Sequence, residues 1–134
     1  MSSATENTEI RTRFNLLRDI LIPVSWPNES FEVPNPPKTY VRFSIANGDS
    51  KLMDIGSEIK TYRNIGIIYL SLFCPPNTGN GQIMIQADNM ANIFRSWNGQ
   101  SVKCRTPSIK HIGTVSDGWY QVNVVIPFQR DELI

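Results

Sequence analysis

At 134 residues the chain has the length of one domain, able to bury roughly two thirds of its unfolded surface in a single core, and one domain over residues 1–134 is expected. Hydrophobic residues make up 40% and charged residues 19%. The 13 basic against 12 acidic residues leave a net charge of +1, which argues against a dedicated nucleic-acid binder with a basic excess for phosphates. Two cysteines, Cys74 and Cys104, are too few for a disulfide scaffold, and no run approaches the ~18 apolar residues of a membrane span.

Residues 1–9 lack the basic and apolar regions of a secretory signal, so the Asn28-Glu29-Ser30 sequon reads as chance and the cysteines as buried thiols of a reducing cytoplasm. Ser3 and Glu6 fit a capping box that would open a first helix. Ile10, Phe14, Leu17 and Leu21 then recur at helical spacing, and Pro23, with no amide hydrogen, ends the helix. Residues 23–38 hold five prolines and predict an extended loop, anchored by Trp26, Phe31 and Val33 rather than disordered.

Thr39 to Ala46 alternates Val41, Phe43 and Ile45 with Tyr40, Arg42 and Ser44, the period of a strand with one wet face. A connection from Asn47 to about Ser57 follows. Glu58 to Phe73 predicts the longest strand, with Gly66 at a bulge or a close backbone approach. Beyond Gly66 it is apolar on both sides: Ile68, Leu70 and Leu72 on one, Ile67, Tyr69 and Phe73 on the other. Such a strand is covered twice, and a neighbouring subunit is a plausible second cover.

Thr78 to Trp97 carries a helical stripe of Ile83, Ala87, Met90, Ala91, Phe94 and Trp97, with Asn98-Gly99 as its stop. Val102 to Thr106 and Trp119 to Phe128 predict a third and a fourth strand, and Gln129 to Ile134 an exposed tail. The expected class is α+β: two helices and an antiparallel four-stranded sheet in the order α-β-β-α-β-β.

No constellation of residues carries a catalytic signature. The loop Pro75 to Gly81 precedes a helix, yet Gln82 and Ile83 stand where a phosphate loop has Lys and Ser/Thr. His111 is the single histidine, which excludes the usual triads and multi-histidine metal sites, and a dyad with Cys74 or Cys104 is arithmetically possible only. Neither an enzyme nor a cofactor or metal is expected. Lys60, Arg63, Lys103, Arg105 and Lys110 would form one patch if the second and third strands were neighbours, either as ordinary wet-face charges or as a docking or lumen-facing surface. Of the aromatic pair Trp119 and Tyr120, one faces away from the core and is a candidate anchor.

The chain resembles the tail terminator-like proteins of long-tailed bacteriophages and prophages. The resemblance covers nearly the whole length and rests on Trp26-Pro-Asn28 with Phe31 and Pro34, Tyr40-Val-Arg-Phe43, Arg63-Asn-Ile-Gly66, Leu72-Phe-Cys-Pro75 with Gly79, Ala87-Asp88 and Phe94, Arg105-Thr-Pro-Ser108, Gly118-Trp-Tyr120 and Val124-Val-Ile-Pro-Phe128. It implies a structural protein that forms a homo-oligomeric ring, typically a hexamer, on the end of a completed tail tube. There it would stop addition of the major tail tube protein and meet the head-tail connector or neck, with DNA at most passing through the lumen. Its place would be the virion tail or neck, and the host cytoplasm during assembly. Another neck or tail-completion protein is the alternative within this class, and a small enzyme or ligand-binding domain using the Cys74 to Gly81 loop the alternative outside it. Candidate subunit-interface residues are Ile67, Tyr69, Phe73 and Trp119.

Overall fold

The apolar run after Gly66 lies in the middle of the fold. A computed structural model describes residues 3–52 and 61–133. In chain order its elements are α1 (Ser3–Leu17), β1 (Val24–Ser25), β2 (Tyr40–Leu52), β3 (Thr61–Cys74), α2 (Gly81–Phe94), β4 (Val102–Cys104), β5 (Ser108–Thr114) and β6 (Tyr120–Leu133). The α+β class and the two α-helices agree with the sequence reading. The sheet differs: among the described residues it has six strands, ordered β1-β2-β3-β6-β4 with β5 also on β6, and it is mixed because β1 runs parallel to β2.

Each departure has a local cause. β1 is two residues inside the proline-rich segment, too short to show a period, and its approach to β2 is fixed by the Val41 N–H donating to the Pro23 carbonyl at 3.0 Å. The expected third strand, Val102 to Thr106, ends as β4 at Cys104, and a strand the sequence reading did not include, β5, begins after Pro107, which has no amide hydrogen to give a ladder. β2 continues past Ala46 to Leu52 with a shift of register between Asn47 and Ser50, and the end of the expected 47–57 connection and the first residues of the strand expected from Glu58 lie outside the described residues. The expected exposed tail is instead the end of β6, paired with β3 from Gln129 on Ile65 to Leu133 on Thr61.

Strand register sorts the side chains into two faces. Val41 and Phe43 of β2, Ile68, Leu70 and Leu72 of β3, and Val122, Val124, Ile126 and Phe128 of β6 are buried beneath both helices. From α2 come Ile83, Ala87, Met90, Ala91, Ile93 and Phe94. From α1 come Ile10 and Phe14, and Phe14 is the hub: its ring lies 5.3 Å from Phe43, 5.8 Å from Trp26 and 6.4 Å from Phe94.

The other half of the predicted α1 stripe is not in the core. The helix ends at Leu17 rather than at Pro23, and Leu17 and Leu21 are exposed. A turn follows, in which the Leu21 N–H donates to Asp19 Oδ1 at 2.9 Å, and Ile22 takes the buried place instead. α2 likewise stops before the Asn98-Gly99 signal. Arg95 is extended and Ser96 adopts φ 55°, so the chain has already left the helix.

Gly66 is a close approach, as its place in the strand suggests. A Cβ there would lie 2.5 Å from Phe128 Cζ and 2.9 Å from the Ala46 carbonyl oxygen. Gly66→Ala is therefore expected to overpack the core and cost about 1–3 kcal/mol, read as a lower denaturation midpoint with an unchanged denaturant slope.

Two glutamates one turn apart tie α1 down. Glu6 is buried, and its Oε1 accepts from Arg130 Nε of β6 at 3.2 Å; the Ser3 side chain of the expected capping box lies outside the described residues. Burial lifts the Glu6 carboxyl above the ordinary value, outweighing the opposing pull of Arg130. Glu9 accepts from the Ser101 N–H at 3.0 Å, from the Ser101 hydroxyl and from the Val102 N–H at 3.4 Å, fixing the start of β4. Partial burial acts to raise its carboxyl, but these bonds prevail and hold it below the ordinary value. Its contribution is thus present above the unfolded carboxyl value of 4.5 and lost as pH falls through the lower folded one. Glu9→Ala is expected to cost about 1.5–3 kcal/mol at neutral pH and progressively less in acid, measured by denaturant unfolding across pH.

Candidate interface on the open sheet face

The sheet face turned away from the helices is built in rows by the pairing of β2, β3 and β6. Tyr40, Phe73 and Gln121 form one row, Arg42, Ser71 and Asn123 the next, then Ser44, Tyr69 and Val125, then Ala46, Ile67 and Pro127. Ile65 with Gln129 and Arg63 with Asp131 continue it. No described helix covers these rows.

One end is aromatic and covers itself. The Tyr40 ring stacks on Phe73 at 5.0 Å, with Trp119 edge-on at 5.4 Å and Phe31 at 5.1 Å. The Arg42 guanidinium lies 5.0 Å over the Phe73 ring, and a cation on a ring face is held by its quadrupole. Phe73 is consequently only 6% exposed.

The middle is an open, largely apolar groove of about 340 Å³, lined by Ala46, Gly48, Ile65, Ile67 and Pro127 together with Arg105. The far end is polar. Arg63 Nε donates to Asp131 Oδ1 at 2.9 Å and its Nη2 to Oδ2 at 3.2 Å, which holds the Asp131 carboxyl below its ordinary value. Arg105 Nη2 donates to Gln129 Oε1 at 2.8 Å.

The four candidate interface residues fall on this one face: Ile67 and Tyr69 half-buried in the middle, Phe73 and Trp119 in the aromatic end. The candidate cations also gather here, although not as imagined. β6 lies between β3 and the pair β4 and β5, so Arg63 stands on one side of it and Lys103, Arg105 and Lys110 on the other. Lys60 lies outside the described residues. Arg42 belongs to the set and was missed, although the alternation of Thr39 to Ala46 already placed it on the wet side.

The residues weighed for catalysis are dispersed. Burial pushes the Cys104 thiol up to about 12, so it stays protonated at neutral pH. Cys74 is buried with its Sγ 3.8 Å from the Gly79 carbonyl oxygen, and His111 is exposed on β5. The cavity at the Pro75 to Asn80 loop, of about 600 Å³, has no cationic residue in its lining. Among the described residues no three of His, Cys, Asp and Glu gather to hold a metal, and no helix is long and apolar enough to cross a membrane.

A helix-backed sheet with a self-covered aromatic end and an open apolar groove describes a protein of surfaces. A family model for phage tail terminator proteins matches residues 10–128, nearly the whole of both faces. The chain belongs to the phage tail terminator family. This is a family of structural proteins, and a structural role in phage tail completion follows for this terminator. No curated protein matches the chain. A solved structure 19% identical shares the fold with a TM-score of 0.71, covering 97% of this chain and 96% of its own.

Proposed function

We propose that the chain assembles as a ring, a hexamer as the resemblance implies, on the end of a completed tail tube, ends addition of the tube protein and presents a surface to the neck of the capsid. The observation that carries this is the open sheet face: apolar at its centre, with cations from β2, β3, β4 and β5 around it, and left uncovered by the chain's own helices. An apolar centre with a polar rim is the anatomy of a protein interface. Contacts that pair different patches on neighbouring copies close into a ring when the rotation from copy to copy closes. The centre, with Arg105 in its lining, serves the neighbouring subunit, and Arg63, Lys103 and Lys110 serve docking or line the lumen.

The test is tube length. Tube protein polymerised alone and with this chain, imaged by electron microscopy, is expected to give shorter tubes with a ring at one end when the chain is present. Unchanged tube growth with no ring on the ends overturns the reading, and a chain that binds the connector but not the tube replaces it with neck completion.

A further inference from the structure

The C-terminal end of α1 and the turn after it expose four neighbouring large apolar side chains: Leu16 at 75%, Leu17 at 49%, Ile20 at 79% and Leu21 at 76%. They form half of the large apolar residues exposed among those described. Isolated exposed leucines are ordinary, but a contiguous cluster marks an interaction site. The cluster stands on the helical side of the molecule, whereas the apolar groove of Ala46, Ile65, Ile67 and Pro127 opens on the other side of the sheet. One copy cannot bring the two together.

We propose that the α1 end of one copy seats in the open-face groove of the next. This rests on the self-assembly reading above and names its contact. The occupant is a second copy of this chain because the two surfaces complement one another in three respects. One is a highly exposed helix end and the other is concave; both are apolar; and the exposed Asp19 stands in the turn while Arg105 is among the residues lining the groove. Four side chains fall short of the ~800 Å² per partner of a standard interface, so they form its centre and the flanking α1 surface and groove walls form its rim. Using two different patches, the contact is head-to-tail, and an open chain of copies keeps one free patch at each end until a ring closes.

Two exposed substitutions test it, Ile20→Glu on the apolar cluster and Ile65→Glu in the groove, with thermal unfolding of each to verify the fold. Each alone is expected to weaken self-association at least ~30-fold, the factor set by a hot-spot residue, in analytical ultracentrifugation. Mixed, the two variants are expected to form a 1:1 pair and nothing larger, because each retains the surface the other lacks. Variants that keep the wild-type assembly, or that fail to pair when mixed, overturn the contact. So does a wild-type chain that stays monomeric at its highest soluble concentration. Tube shortening judges the terminator reading separately, and it survives if these variants still cap tubes.

Discussion

Glu6→Ala is expected to cost about 3–5 kcal/mol of folding stability, because it leaves the Arg130 guanidinium buried without its carboxylate. Both side chains are at most 4% exposed, so water cannot replace the lost partner. The pair itself contributes little net, since removing two charges from water costs about what their attraction returns. Glu6→Leu combined with Arg130→Met is therefore expected to be neutral or more stable by about 1–4 kcal/mol. Denaturant unfolding of the two single variants and the double variant checks both statements. The pH dependence has a definite sign. Burial raises the folded carboxyl value of Glu6 above its unfolded value, so its contribution is full below the unfolded value and declines as pH rises through the folded one. Glu9 behaves oppositely, so Glu6→Gln and Glu9→Gln are expected to bend the stability profile in opposite directions on the acid side.

Phe14→Ala is expected to cost about 3–5 kcal/mol, enough to unfold much of a protein whose total stability is about 5–15 kcal/mol. The ring is fully buried and touches aromatic neighbours from the proline-rich segment, β2 and α2, so its removal opens a cavity that no single element can collapse. Leu17→Ala, one position further along the same predicted stripe, is expected to change stability by no more than about 0.5 kcal/mol. Urea midpoints of the two variants, compared side by side, measure the difference.

That contrast shows where the sequence was legible. The 3.6-residue period identified α1, but period alone does not say how far a stripe stays over the core. The chain leaves the helix at Leu17, and Leu17 and Leu21, read as part of the apolar stripe, become exposed surface. The two-sided apolar character of Ile67 to Phe73 did reveal the central strand and its open face, because alternation acts directly on which side a residue takes. The six-strand count was out of reach for a different reason. β1 is two residues long and takes its place from its pairing with β2, and β5, missed after the expected third strand, is largely exposed, so no alternation of buried and exposed residues marks it. The polar end of β6 read as a tail because Arg130 and Asp131 are satisfied by Glu6 and Arg63, partners 124 and 68 residues away, which no local window contains. The aromatic end of the open face was half visible: Tyr40 and Arg42 were placed on the right side, but nothing in sequence told that they would cover Phe73.

The position of β6 bears on how the protein is made. This strand follows every other in the chain, yet it is hydrogen-bonded between β3 on one side and β4 and β5 on the other. A nascent chain emerging from the ribosome can pair β2 with β3 and form its helices, but β4 and β5 have no strand to join, and the β3 edge stays bare until β6 emerges. Synthesis thus withholds the finished sheet, and with it the complete groove, until β6 has emerged. Copies still being translated therefore lack the surface that would engage their neighbours.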